Sequence, residues 1–281
     1  MKQIKNLDYF HQYWVGLMDG DGSIQVNHWR KKGLQFRLVI KLKLDPLNLR
    51  LLKKMEQSVG GSVKEEKKSG FFSWTENDRR RIEKMCAIFE RFPPLTTRLA
   101  CQLEFLLKCI RAYQDSEKKA VCFLQSKKQC VAWYLENRGQ KYSSRLEKRE
   151  NLSMQALHQL PYFKGWLSGF IEAEGCFTIR EASSRVVSFS ISQKGDGYLL
   201  KEIALFFSIR NKIREISLNK TKNLPLCNKK PQEEPLFLLE VAKKETLRGV
   251  VSHCTRYPLL GEKERSFIAF SHSIRKDGDI K

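Results

Sequence analysis

The sequence lacks several features that would assign it to familiar classes of protein. No apolar run in the 281 residues approaches the roughly 18 to 20 residues that a membrane-spanning helix requires. The first eight residues mix charged and polar side chains and lack the apolar stretch of a secretory signal. We therefore expect an intracellular protein that is not secreted and has no membrane partner.

Cysteine and histidine are present without forming a ligand pattern. The eight cysteines and five histidines are scattered along the chain. No C-x-x-C pair occurs, and no histidine pair has the spacing of zinc ligands. The cysteines are expected to be reduced and mostly buried, and a structural zinc site is only a minor alternative.

Acidic residues are few relative to basic ones. The chain has 31 Asp and Glu against 52 Lys and Arg, which gives a formal net charge of +21. Such a surplus repels itself unless a polyanion shares the surface. Nucleic acid is the leading partner on this ground, with a solvated basic face as the alternative. Charge alone does not distinguish DNA, RNA and anionic lipid.

The chain repeats itself, and this repeat is the most informative feature of the sequence. Residues 13–24 read YWVGLMDGDGSI, and residues 164–177 read KGWLSGFIEAEGCF. Each segment predicts a helix that ends in two acids and a glycine and is followed by a strand. Alternating apolar residues then predict a half-buried strand in each half. Later, RFPPL (91–95) matches RYPLL (256–260), and an apolar helical stretch follows both.

The halves predict an α+β protein of two pseudo-symmetric repeats with the element order αββαββα. We expect the first repeat at residues 8–112 and the second at residues 160–276. Residues 113–159 are rich in Lys, Glu, Arg, Gln and Ser. This composition indicates a linker that is partly helical.

Small residues recur every four positions in both motif helices. They are Gly16 and Gly20 in the first half, and Gly165, Gly169 and Ala173 in the second. This spacing lines one face of a helix with residues that have almost no side chain. The two helices are therefore predicted to pack closely against each other.

The acids of each motif are two residues apart, so on a helix they point to different sides. If Asp21 and Glu174 both project from the end of the helix pair, their charges repel unless a divalent cation lies between them. Oxygen ligands of this kind suit Mg²⁺. The alternative is that acid-Gly-acid-Gly forms only a helix cap and turn. Two copies, each at a matching distance from an alternating strand, argue against it.

The blocks WVGLMDGDG (14–22) and LSGFIEAEG (167–175) resemble the motif of the LAGLIDADG homing endonucleases. The resemblance covers nearly everything except the central linker and the last few residues. It implies a pseudo-twofold monomer with saddle-shaped antiparallel sheets that straddle double-stranded DNA. It also implies cleavage of both strands of a long asymmetric target across the minor groove, which leaves short 3′ overhangs.

The same resemblance implies which residues are catalytic. Asp21 and Glu174 are expected to be the catalytic metal ligands, with the backbone carbonyls of Gly20 and Ala173 as further ligands. Mg²⁺ is the expected cofactor, Mn²⁺ is expected to substitute for it, and Ca²⁺ is expected to bind without supporting cleavage. The second motif departs from the family pattern by having Glu at both acidic positions, but it keeps the carboxylates.

The family commonly places a polar residue of the second strand near the active site. Gln193, at the end of the segment FSISQ (189–193), is the candidate, and Leu44 is its expected counterpart in the first half. The two cuts are then not chemically equivalent. The alternative is that Gln193 is an ordinary strand-end residue. For Lys263 and its counterpart Arg98, a structural or phosphate contact is expected rather than catalysis.

Alternation also predicts which side chains face the DNA, because successive strand residues point to opposite faces of the sheet. Arg and Lys can bind guanine, and Gln and Asn can bind adenine. At each position, a solvated side chain or a phosphate contact is the alternative. The predicted DNA-binding residues are Gln25, Asn27, Trp29, Arg37, Lys41 and Lys43 in the first half, and Thr178, Arg180, Ser188, Ser190, Ser192 and Lys263 in the second.

Two other functions remain open at this point. The scaffold is also used in splicing, so the protein could be an intron RNA maturase, with or without nuclease activity. It could also be a DNA-binding protein that does not cut. The presence of both outer acids favours the nuclease. Family habit indicates an intron-encoded protein located in an organelle, either the mitochondrion or a plastid.

Overall fold

The computed structural model describes residues 7–119, 123–181, 185–216 and 234–276. The first half consists of α1 (Leu7–Gly20), β1 (Gly22–His28), β2 (Leu34–Lys43), α2 (Pro46–Ser58), β3 (Ser62–Glu66), β4 (Phe71–Glu76), α3 (Arg79–Arg91) and α4 (Thr97–Lys119). The second half consists of α7 (Phe163–Glu174), β5 (Gly175–Glu181), β6 (Arg185–Lys194), α8 (Gly197–Phe206), β7 (Arg214–Ile216), β8 (Leu236–Val241), α9 (Lys244–Arg256) and α10 (Lys263–Lys276). The predicted α+β class is confirmed. Each half ends in two helices, whereas the predicted element order αββαββα has only one helix at that end.

The segment between the halves contains two more helices, α5 (Phe123–Asn137) and α6 (Arg145–Ser153). Short 3₁₀ turns occur at Arg138–Gln140 and Leu157–Gln159. Both α5 and α6 pack against α4. The helices of the linker therefore pack against the last helix of the first repeat.

Each half contains one four-stranded antiparallel sheet, with strand orders β1-β2-β4-β3 and β5-β6-β8-β7. Gly22 pairs with Ile40 in the first sheet, and Gly175 pairs with Ile191 in the second. This common register makes Leu42 the counterpart of Gln193, so the expected assignment to Leu44 was wrong. Leu44 lies just past the end of β2 and is 41% exposed.

Local sequence explains where the elements begin and which face they bury. Asp45 caps α2 by accepting a hydrogen bond from the backbone N–H of Leu47 at 2.8 Å, and Pro46 occupies the first helical turn. Along β2, Phe36, Leu38, Ile40 and Leu42 are buried. The buried apolar side chains of the two halves form one continuous cluster. The halves therefore share a core.

The cysteines are free wherever the structure describes them. Five of these cysteines are buried and Cys176 is exposed, whereas Cys122 and Cys227 lie outside the described residues. None of the described helices combines the length and the apolar character needed to cross a bilayer.

The motif helices α1 and α7 pack directly against each other. A Cβ atom on Gly16 would lie 1.9 Å from the carbonyl oxygen of Trp166, and one on Gly169 would lie 1.9 Å from that of Tyr13. A Cβ atom on Gly20 would lie 2.1 Å from the Cβ of Ala173. Only residues without side chains permit this approach, so the small-residue spacing sets the distance between the two halves.

Candidate active site

The inner acid of the first motif, Asp19, is buried and structural. It accepts hydrogen bonds from the backbone N–H groups of Leu95 at 2.8 Å and Thr96 at 3.0 Å, and from the indole N–H of Trp166 at 2.7 Å. Burial raises the pKa of Asp19 to about 6, although these hydrogen bonds act in the opposite direction. The carboxyl group therefore ties α1 to the start of α4 and to the other repeat.

The inner acid of the second motif, Glu172, has the equivalent role. It accepts hydrogen bonds from the Tyr13 hydroxyl at 2.8 Å and from the backbone N–H groups of Gly261 and Lys263, both at 3.1 Å. Each inner acid thus binds an aromatic residue of the opposite motif helix and the turn before a long helix. These contacts leave the outer acids, Asp21 and Glu174, for chemistry.

The outer acids lie next to each other at the end of the helix pair. Glu174 is the last residue of α7, and Asp21 directly follows α1, with its N–H bonded to the carbonyl of Leu17 at 2.9 Å. A Cβ atom on Gly20 would lie 3.4 Å from Cγ of Glu174. Asp21 is exposed, whereas Glu174 is half-buried. One carboxylate from each repeat therefore reaches the same end of the seam.

The surroundings of both outer acids penalise an isolated negative charge. Partial loss of hydration raises the pKa of Asp21, and the nearby charges of Lys263 and Arg98 oppose this shift. The pKa of Glu174 is also raised, first by loss of hydration and then by the charge of Asp21. Two carboxylates that repel each other in this way favour a bound cation.

The two basic side chains at the site bind the ends of the motif helices. Arg98 donates to the carbonyl oxygens of Asp19 and Gly22, both at 2.6 Å, and of Gly20 at 3.1 Å. Lys263 donates through Nζ to the carbonyl oxygen of Ala173 at 2.7 Å. Positive charge is favourable there because helix C-termini carry partial negative charge. Lys263, predicted as a DNA contact, thus has a structural contact in the free protein, and its binding of DNA stays a prediction.

The donor set at this site fits a hard cation. Within the described ranges, no cluster of three or more His, Cys, Asp or Glu side chains could hold a metal ion. Mg²⁺ does not require such a cluster, because proteins often bind it through one or two carboxylates and the phosphates of the substrate. The carbonyl oxygens of Gly20 and Ala173 accept hydrogen bonds from Arg98 and Lys263. Since a carbonyl oxygen has two lone pairs, each could also bind a metal.

Gln193 lies in a cavity of about 470 Å³ that also contains Glu174 and Arg98. It is buried at the end of β6, next to Lys194. Its counterpart Leu42 is a buried apolar residue, so only one side of the site has an amide at this position. Tyr142 and Arg145 of the linker line the same cavity. Sequence reasoning missed both, because the polar composition of the linker gives no indication of where its side chains lie.

The first sheet presents basic and amide side chains on the face opposite the core. Gln25 pairs with Arg37, and Lys41 pairs with Ser73, so these residues share that face. The predicted residues Asn27, Arg37, Lys41 and Lys43 are exposed, whereas Gln25 is half-buried. Trp29 is exposed but lies one residue past the end of β1, in the hairpin turn. Strand alternation therefore does not determine its direction.

The equivalent face of the second sheet has a different chemistry. Thr178 pairs with Ser188, and Ser192 pairs with Leu238. Arg180 is exposed, and Ser190 and Ser192 are half-buried, but Ser188 is only 6% exposed. Hydroxyl and aliphatic groups thus dominate where the first sheet carries cations and amides. DNA binding by the residues of both sheets stays a prediction.

The model of a family described as "LAGLIDADG endonuclease" matches residues 14–110 and 167–274. The chain belongs to the LAGLIDADG endonuclease family. Both matched segments begin in the motif helices and end in α4 or α10. The paired acids and the paired sheets described above therefore lie within the LAGLIDADG repeats, and the linker lies between the two matches.

Curated relatives of this LAGLIDADG chain are named as intron-encoded proteins. A probable intron-encoded endonuclease aI3 of Dictyostelium citrinum is 38% identical over 93% of this chain and 93% of its own length. A protein of the same name from Debaryomyces hansenii is 37% identical over 94% of this chain. The match spans only 38% of the length of the Debaryomyces protein.

Solved structures share the fold. The LAGLIDADG homing endonuclease I-GzeII in complex with its DNA target has a TM-score of 0.69 at 17% identity, over 96% of this chain and 92% of that one. I-SmaMI bound to uncleaved DNA target in the presence of calcium ions has a TM-score of 0.67 at 16% identity, with the same coverage. At these identities the comparison supports the architecture.

Proposed function

We propose that the protein is a homing endonuclease that hydrolyses both strands of a long asymmetric DNA site and leaves short 3′ overhangs. The observation that carries this proposal is the meeting of Asp21 and Glu174, one from each repeat, at the end of a glycine-packed helix pair. The names of the relatives, which refer to endonucleases and DNA complexes, support the same activity. The inner acids are fully used in structural contacts, so the outer acids are the candidates for chemistry.

Asp21 and Glu174 would hold the divalent metal, with help from the carbonyl oxygens of Gly20 and Ala173. Mg²⁺ at such a position would polarise a phosphate, lower the pKa of a bound water and stabilise the leaving oxygen. Mn²⁺ should substitute for Mg²⁺. Ca²⁺ should bind without supporting cleavage, which agrees with the structure of I-SmaMI bound to uncleaved DNA target in the presence of calcium ions.

The other residues of the site would position the DNA and balance charge. Arg98 and Lys263 lie beside the acids and reduce the repulsion that an approaching phosphate experiences. Gln193 can donate a hydrogen bond from its amide to a phosphate or a water in the Glu174 cavity. Because Arg98 and Lys263 are bound to the ends of α1 and α7, they would hold the backbone of the DNA against these two helices.

The two sheets would read the two halves of the DNA target. The first presents Arg, Lys, Gln and Asn side chains, whereas the second presents mainly Ser, Thr and aliphatic side chains. Because these groups differ in what they bind in the major groove, the target should be asymmetric. One chain supplies both sheets and both acids, so we propose that the enzyme acts as a monomer, with residues 8–112 and 160–276 as the repeats and 113–159 as the linker.

The names of the relatives support an intron-encoded origin, and with it a mitochondrial or plastid location. Maturase activity on intron RNA and DNA binding without cleavage are the alternatives to the endonuclease. No contact described above favours either of them.

Cleavage of a randomised duplex library by the purified protein tests the proposal. In Mg²⁺ we expect cutting at one long site, and in Ca²⁺ we expect binding without cutting. The variant Asp21→Asn/Glu174→Gln should bind the selected site without cutting it. Glu90→Gln, which changes an exposed acid on α3, is the matched control and should cut normally. Tight binding with no cleavage in any divalent metal would overturn the endonuclease and favour the non-cutting protein.

A further inference from the structure

The linker forms one wall of the cavity at Glu174. Three parts of the chain line this cavity of about 470 Å³: Asp19, Gly20 and Arg98 of the first repeat, Glu174 and Gln193 of the second, and Tyr142 and Arg145 of the linker. Neither Tyr142 nor Arg145 belongs to a repeat motif. Their presence at the site therefore depends on how the linker is held.

Hydrogen bonds connect Tyr142 to the strand that follows Asp21. Its hydroxyl oxygen accepts a hydrogen bond from Nε2 of Gln102 at 3.1 Å, and the buried Gln102 accepts one from the N–H of Ile24 at 2.8 Å. The neighbouring Lys141 donates to the carbonyl oxygen of Ile24 at 3.4 Å. Because the Tyr142 hydroxyl accepts the bond from Gln102, its own hydrogen is available to donate. The side chain is 43% exposed, so a ligand can reach it.

A network of charged groups holds the neighbouring Arg145. Its Nη2 lies 2.7 Å from a carboxylate oxygen of Glu234, and its Nε donates to the Thr97 hydroxyl at 3.0 Å. Thr97 in turn donates to Asp196, which is completely buried. The linker is thus fixed to both repeats on either side of Tyr142. A phenol held in this way can orient a substrate with little loss of entropy.

The site at Asp21 has a different environment. Helices α5 and α6 of the linker pack on α4, whereas the main contacts of the equivalent helix α10 are with α9, β5 and β6. Asp21 is also more exposed than Glu174. The cavity at Glu174 also has the amide of Gln193, where the first half has Leu42. The pseudo-twofold symmetry of the motif helices therefore does not extend to the groups around the two acids.

We propose that Tyr142 is a positioning residue for only one of the two strand cuts. Its phenol donates a hydrogen bond to the phosphate or attacking water held at Glu174, while the phosphate at Asp21 reacts without any linker group. This inference rests on the proposed endonuclease activity, and it adds a linker side chain to the difference between the two strand cuts that Gln193 already predicts. Loss of one oriented hydrogen bond to a charged group should slow that cut by about tenfold or more.

The test is the rate of each strand cut in Tyr142→Phe. The selected target is labelled on one strand or the other and bound to the protein in Ca²⁺. The reaction is then started with excess Mg²⁺ under single-turnover conditions. We expect one strand to be cut about tenfold more slowly, the other to change less than twofold, and nicked DNA to accumulate. The slow strand should be the one that Gln193→Leu slows, since both side chains line the same cavity.

Tyr134→Phe is the matched control. Tyr134 also belongs to the linker, but its hydroxyl donates to the carbonyl oxygen of Val26 at 3.0 Å instead of lining this cavity. It should leave the ratio of the two strand rates unchanged. The inference is overturned if Tyr142→Phe slows both strand cuts equally or slows neither. It is also overturned if Tyr142→Phe slows one strand cut and Gln193→Leu slows the other. If the wild-type protein cuts neither strand, the endonuclease proposal itself is overturned and the inference falls with it.

Discussion

Replacing Gly16 with alanine places one methyl group between the motif helices. The added Cβ would lie 1.9 Å from the carbonyl oxygen of Trp166 and 2.9 Å from the backbone nitrogen of Phe170. Both contacts are to backbone atoms of a helix, which cannot rotate away as a side chain can. An ordinary van der Waals contact needs about 3.5 Å, so α1 and α7 must separate by about 1.5 Å.

Two effects of this change oppose each other, and their magnitudes determine the outcome. Alanine has a higher helix propensity than glycine, which contributes about 1 kcal/mol in favour of the variant. Overpacking costs about 1 to 3 kcal/mol, and rigid backbone neighbours place this site at the upper end. We expect a net loss of about 2 kcal/mol in the free energy of unfolding. Cleavage should fall further, about 100-fold, because separating the helices also separates Asp21 and Glu174.

Gly249 provides the matched control for this experiment. It lies within α9, and a Cβ added there would have no atom within 4 Å. Gly249→Ala should therefore stabilise the protein by about 0.5 to 1 kcal/mol and leave cleavage unchanged. Urea unfolding of both variants, together with single-turnover cleavage, measures the difference. If Gly16→Ala is as stable and as active as Gly249→Ala, the close packing of the motif helices is refuted.

Two further predictions concern pH and salt. Burial lowers the pKa of His253 from 6.5 to about 3, so stability should be fully present above pH 6.5 and fall by about 2 kcal/mol between pH 6.5 and 5. Urea unfolding should show no such loss of stability in His253→Gln, whereas His272→Gln, which changes an exposed histidine, should still show it. Equal dependence of stability on pH in the two variants would contradict the lowered pKa of His253. Lys43, exposed on the first sheet, should contact a phosphate, so Lys43→Ala should reduce the slope of log affinity against log salt by about one. Lys53→Ala on α2 is the control and should not change this slope. DNA affinities are measured by fluorescence anisotropy in Ca²⁺, and equal slopes for the two variants would exclude a phosphate contact of Lys43.

Much of the fold could be predicted because the sequence repeats a strong local pattern. The small-residue spacing predicted the helix pair, and the alternation of apolar residues predicted the paired strands. Pairing register was harder to predict, because it depends on where the hairpin turn falls. The sequence therefore predicts Leu44 as the counterpart of Gln193, whereas the register gives that position to Leu42.

The groups that surround the acids could be predicted only in part. The outer acids stand out because each motif repeats them, but Tyr142 and Arg145 reach the site through packing of the linker on α4. No periodicity in residues 113–159 indicates that packing. The repeat boundaries also stay predictions, and α4 continues to Lys119, past the expected boundary at residue 112.

The endonuclease that we propose needs one carboxylate from each repeat to cut DNA. Single-turnover cleavage of the selected target in Mg²⁺ by Asp21→Asn and by Glu174→Gln, each measured separately, tests this claim most directly. Each change should abolish double-strand breaks while affinity for the target in Ca²⁺ stays within a few fold of wild type. Double-strand cleavage at the wild-type rate by either variant would contradict the account.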